Sequence, residues 1–187
     1  MIKLNDRACN VTLPSVDEWG SFRLDELFTI SRGRLAKKPS DIGEVPYISS
    51  SGMNNGLNES FDINSKYIVR ADLSPVITVA NNGSVGSTFV QEFSFAASSD
   101  VSVLEPIFNS NADALLFIKV VIERSKNLYG YGRKWGLEKM RSSIIKLPAL
   151  ENGEPDWELM EKYIKQLYWD FMESYIKQFY ETKLIET

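Results

Sequence analysis

Residues 127–147, NLYGYGRKWGLEKMRSSIIKL, concentrate the side chains that bind a polyanion. Arg133, Lys134, Lys139, Arg141 and Lys146 lie within this stretch and Lys126 just before it, against one acid, Glu138. Gly130, Gly132 and Gly136 interleave with Tyr129, Tyr131 and Trp135. Cations bind phosphate, aromatic faces stack, and glycine lets backbone approach another surface closely. Composition leaves two readings open: a loop laid on nucleic acid, or a solvated turn whose tyrosines fold back onto the domain. Residues 31–38, SRGRLAKK, form a second basic connection, which can contact phosphate or simply be solvated.

Catalytic chemistry finds little support. The chain has no histidine, which removes His-based acid–base work, Ser-His and Cys-His nucleophiles and ordinary zinc sites. No phosphate loop of the GxxxxGK type occurs. Pro155-Asp156 with Glu181-Thr182-Lys183 imitates the acid–acid–lysine set of Mg²⁺ nucleases. All of them lie on one unbroken helical pattern, with Asp156 and Glu181 about 38 Å apart by helical rise, which is too far to share an ion. Gly83-Ser84-Val85-Gly86 matches a GxxG clamp but joins strands, so a hairpin turn is expected. No metal site and no cofactor is expected.

The totals set the frame. At 187 residues and 43% hydrophobic content, the chain makes one domain, or one domain with an appendage. The single cysteine, Cys9, excludes an internal disulfide and fits a reducing cytoplasm. Neither a secretory signal nor a run of about 20 apolar residues is present, so a cytoplasmic protein without membrane contact is expected. Net charge is −4, but unevenly placed: residues 149–187 hold nine acids and four lysines, which leaves +1 on the first 148. Such asymmetry permits one basic face for nucleic acid.

Residues 1–18 read as a lead-in. The elements that must position the basic loops follow. WGSFRLDELFTI (19–30) reads as strand, helical turn at 25–28, strand. Residues 45–49 form a short strand and 49–58 a polar loop with a turn at Asn55-Gly56. Further β-rich runs are 67–69, 76–80, 85–92, 93–97 and 100–104, with a tight turn at 81–84. Strands so frequent and so far from helices predict a mixed or curled antiparallel sheet. ADALLFIKVVIER (112–124) is apolar nearly all round and predicts a buried helix, with Ser110 and Asp113 as a capping pair. Residues 141–147 enter Pro148 as a last strand or turn. After a linker at 149–155, an uninterrupted helix of roughly 45 Å is expected to about residue 186. Its stripe of Trp157, Met160, Ile164, Leu167, Phe171, Tyr175 and Phe179 outruns a domain of this size and predicts contact with another protein surface. The fold class is α+β: a recognition domain (1–148) with a buried helix, then a linker and one long coiled-coil-type helix (149–187).

In order along the chain, residues 22–33 (FRLDELFTISRG), 45–56 (VPYISSSGMNNG) and 77–86 (ITVANNGSVG) resemble a known family. So do residues 95–104 (FAASSDVSVL), 129–134 (YGYGRK) and 144–161 (IIKLPALENGEPDWELME). The chain resembles the target-recognition domain of specificity (S) subunits of type I restriction–modification systems, and of related fused restriction–methylation enzymes. The resemblance implies a non-catalytic, sequence-specific binder of double-stranded DNA that directs a modification (methyltransferase) subunit, with a restriction subunit, to its site. Base readers implied by it are Asn54, Asn55, Asn81, Asn82 and Arg133, since Asn pairs with adenine and Arg with guanine. Turn chemistry explains Asn55 and Asn82, each before Gly, equally well. Phosphate contacts are Arg32, Arg34, Lys37, Lys38, Lys126, Lys134 and Lys139, with Tyr129, Tyr131 and Trp135 as aromatic faces. A full S subunit carries two recognition domains and two such helices, and this chain resembles half of one. A homodimer through the helical stripe is therefore expected. Two other classes stay open: a protein-interaction module in which the helix is the whole function, and a free-standing Mg²⁺-dependent nuclease.

Overall fold

The computed structural model describes residues 10–125 and 135–185, as backbone only from residue 180. The strands are β1 (Gly20–Arg23), β2 (Phe28–Arg32), β3 (Ile42–Ile48), β4 (Leu57–Phe61), β5 (Ile68–Val69), β6 (Val76–Ala80), β7 (Thr88–Gln91), β8 (Phe95–Ala97), β9 (Val101–Pro106) and β10 (Ile144–Leu147). The helices are α1 (Leu24–Leu27), α2 (Ala112–Arg124), α3 (Leu137–Arg141) and α4 (Trp157–Ile185).

Three layers stack. The central one is an antiparallel sheet in the order β2-β9-β6-β7. Its β6, VITVA, is buried at every position, as a strand covered on both faces must be. Ile77, Val79 and Leu104 face α2, while Val76, Val101 and Val103 face the second sheet, β4-β3-β8-β5. That second sheet is mixed, with β3 parallel to β8 and the other pairings antiparallel. A small β1-β10 ribbon closes the first core with α1 and α3. The mixed or curled sheet expected from strand frequency is present as a mixed second sheet, packed on a separate antiparallel one. The continuous apolar run of β6 demands a cover on each side.

α2 is apolar nearly all round because it has neighbours on two sides. Leu115, Ile118 and Ile122 join the core over the sheet, and Phe117 meets Tyr163 of α4 edge-on at 6.0 Å and Trp19 at a tilt at 5.6 Å. Its cap is Asn111, whose Oδ1 accepts from Ala114 N at 2.9 Å, rather than the expected Ser110, one residue earlier. Asp156 caps α4 through Leu159 N (2.9 Å). Residues 57–61 pair as β4, where a polar loop through residue 58 was expected, and residues 137–141 of the basic stretch form α3.

Candidate nucleic-acid interface

One end of the central sheet gathers the polar loops. In the register, Arg32 lies opposite Ser102, Ala80 opposite Val101, and Val79 opposite Thr88. The turns at 81–87 and 98–100 and the exit of β2 therefore leave the sheet together. β3 of the second sheet ends there too, since Ile48 O accepts from Ser98 N at 2.9 Å. The turn at 81–84 docks on the start of the 49–56 loop, with Ser84 N donating to Ser50 O at 3.1 Å. Gly83 makes that contact with φ +56°, and a Cβ there would sit 3.0 Å from the same oxygen. Gly33 is pressed closer still: a Cβ would lie 2.1 Å from Ser98 O. No side chain fits between β2 and the 98–100 turn, which fixes Arg32 and Arg34 beside it.

The expected readers divide. Asn82 is part-exposed at this end, its Nδ2 3.5 Å from Asp100 Oδ1. Asn81 is 5% exposed. Its amide faces Ser102 and Trp135 O, and it satisfies every polar atom when Nδ2 donates to that carbonyl (3.2 Å). Asn81 is a strut and offers no edge to a base. Asn54 and Asn55 lie apart, where the 49–56 loop has run down the outer edge of β7. Both adopt left-handed backbone, φ 50° and 55°, which asparagine tolerates better than most residues. Asn55 Nδ2 donates to Val90 O (3.2 Å) and to Gln91 Oε1 (3.0 Å), while Gln91 Nε2 donates to Asn55 O (2.9 Å) and Thr78 Oγ1 (3.0 Å). The fully buried Gln91 thus clamps the turn, a role for which the sequence carried no signal.

Trp135 is also a core residue, 0% exposed, with Nε1 donating to Ser143 Oγ at 3.1 Å, so it presents no face for stacking. The indole is the largest apolar surface in the basic stretch, and burial wins over display. Its position has a use: Trp135 O beside Asn81 anchors the end of the basic segment at the loop-bearing end of the sheet. Lys126, Tyr129, Tyr131, Arg133 and Lys134 lie outside the described residues. Lys139 is exposed on α3, which Arg141 ties to β2 through Ile30 O (3.1 Å). Lys37 is exposed, and Lys38 is paired with Glu59 at 2.6 Å.

α4 has two halves. Met160 is fully buried, Trp157 stacks on Phe108 at 3.8 Å, and Tyr163 and Ile164 pack on the same core. Asn111 Nδ2 donates to Glu161 Oε2 (2.6 Å), and Val11 N to Gln166 Oε1 (2.6 Å). Lys165 first, and Asn111 second, hold the Glu161 carboxyl below its ordinary value. From Leu167 the helix leaves the body. Leu167, Tyr168, Trp169, Phe171, Met172, Tyr175, Ile176 and Phe179 are all 46–67% exposed. At 3.6 residues per turn they cover an arc of about 200°, wider than the ~100° stripe that a single packed face requires.

Residues 16–179 match the family described as Type I restriction modification DNA specificity domain. The chain belongs to this family. Among curated members it is 36% identical over 158 residues to a protein of Heyndrickxia coagulans named Type II restriction enzyme BgcI specificity subunit S.BcgI. That alignment takes in 80% of this chain and 43% of the relative, so the specificity-domain chain spans less than half its relative's length. Solved structures show the same fold. An S subunit of a type I restriction–modification system from M. genitalium superposes with a TM-score of 0.59 at 16% identity, over 90% of this chain and 43% of that one. The HsdS subunit of Thermoanaerobacter tengcongensis gives 0.57 at 18%, over 90% and 41%.

Proposed function

We propose that this specificity-domain chain is a non-catalytic DNA-reading subunit of a restriction–modification system, which brings a modification subunit to a short double-stranded target. One observation carries the reading: the turns at 81–87 and 98–100, the start of the 49–56 loop and the anchored end of the basic segment share one end of one rigid sheet. Loops held on a packed scaffold keep the geometry that base-edge hydrogen bonding needs. Asn82 can pair with adenine, and Asp100 beside it can accept from the amino group of cytosine. Arg133, which lies outside the described residues, stays the candidate reader of guanine in this reading.

The distal half of α4 serves assembly in this reading. Its apolar arc is wide enough for two partners: a second copy of this helix along one part and the modification subunit along the rest. A restriction subunit joins through the modification subunit. Co-expression with a modification subunit of a restriction–modification system, followed by sequencing of the methylated DNA, tests the whole reading. One defined methylated motif, lost when this chain is omitted, is the expected result. Methylation that is unaltered without the chain refutes it.

A further inference from the structure

We propose that Arg34 and Lys66 form a phosphate-binding site for the duplex backbone flanking the reading loops, with Lys66 a member that no motif singles out; this rests on the DNA-reading function above. The cations of the described body sort by whether a carboxylate holds them. Arg23, Lys38, Arg70, Lys119 and Arg141 each have one, at 2.6–3.0 Å. Arg34 and Lys66, like Arg32, Lys37 and Lys139, have none within 4.0 Å among the described residues. Arg34 Nη1 instead donates to the Lys66 carbonyl at 2.7 Å, which fastens one cation to the backbone of the other.

Both ends of that link are fixed. Leu35 N donates to Ala97 O (3.1 Å) and Ser99 N to Leu35 O (2.9 Å), so the chain carrying Arg34 is stitched to the 98–100 turn. Lys66 heads a turn capped by Asn64, whose Oδ1 accepts from Lys66 N at 3.1 Å. Two exposed cations without a carboxylate, held at the loop-bearing end of the sheets, leave a positive potential that a phosphate neutralises. Lys38 is the contrasting case. Its ammonium lies over Phe61 at 5.3 Å, as that of Lys66 lies over Tyr67 at 4.9 Å, but Glu59 holds it. Phe61 also pairs with Ile42 and Val45 at the far end of β3, whereas β5, which follows Lys66, pairs with β8 at Ala96 beside the loop-bearing end.

Counterion release reads the difference. For the full chain, duplex affinity is measured across a series of KCl concentrations for wild type, K66Q, K66R and R34Q. K66Q and R34Q are each expected to flatten the log–log salt slope by about one, equally on unrelated duplexes. K66R keeps the wild-type slope. Among the described residues the Lys66 ammonium meets the Tyr67 ring and no carboxylate, so K66Q should melt close to wild type. A K66Q or R34Q slope equal to wild type overturns the site while leaving DNA reading intact. Wild-type protein that binds no duplex in a salt-dependent way overturns the underlying function, and the site with it.

Discussion

At the scale of residues, chemically identical side chains have separate fates. Asn81 and Asn82 are adjacent, yet one is 5% exposed and braced between Ser102 and Trp135, and the other reaches the surface. N81A leaves Ser102 Oγ and the Trp135 carbonyl without that amide, and should cost about 1–3 kcal/mol of stability. N82A should stay within about 0.5 kcal/mol of wild type in urea melts. On DNA the order reverses: N82A should lose about 1–3 kcal/mol of discrimination at one base pair of the target. Gln91 gives a parallel test. Q91A strands the amide of Asn55 and the hydroxyl of Thr78, so a lower urea midpoint at unchanged slope is expected, again by about 1–3 kcal/mol.

Among the elements, α4 is the one whose two halves do different work. Its first turns are fixed to α2 by the Asn111–Glu161 bond and the Phe108–Trp157 stack. Glu161 is a depressed carboxyl, so its contribution is present above the ordinary carboxyl pKa of about 4.3 and is lost as pH falls through the lower folded value. The difference in melting temperature between wild type and E161Q should be largest near neutrality and close on acidification below about pH 4. A gap that widens in acid would contradict this account. In the distal half, Phe171 is 67% exposed, so F171E does not disturb the body. Against a paired helix it buries an unpaired charge. Sedimentation should show wild type associating and F171E shifted to monomer at equal concentration.

For the molecule as a whole, the proposed antiparallel pairing of two α4 helices about a twofold axis would place identical reading surfaces at opposite ends. Each copy would then read the same short half-site in inverted orientation. The target is expected to be an interrupted palindrome whose spacing follows helix length. Lengthening α4 by two full turns within its distal half should increase the spacer while leaving both half-sites unchanged, as read by methylated-motif sequencing. The purified chain alone should neither cleave DNA nor transfer a labelled methyl group, since no histidine is available and Asp156 is spent on capping α4.

The periodicities in the sequence determined the local elements. The alternation in residues 19–30 marks β1, α1 and β2, the unbroken 3.6-residue stripe marks α4, and the all-apolar 112–124 segment marks a buried α2. The ordered motifs carried the family as well, because they are local strings. What they could not carry was the pairing of distant segments. Only the packed structure covered both faces of β6 and so made two sheets. It buried Trp135 because the first core had room for an indole beside Met140 and Leu147. It also turned Asn81 inward while leaving Asn82 out, and gave Glu59 to Lys38 but no acid to Lys66. Charge partners and burial depend on residues far apart in the chain, and composition within a loop contains no record of them.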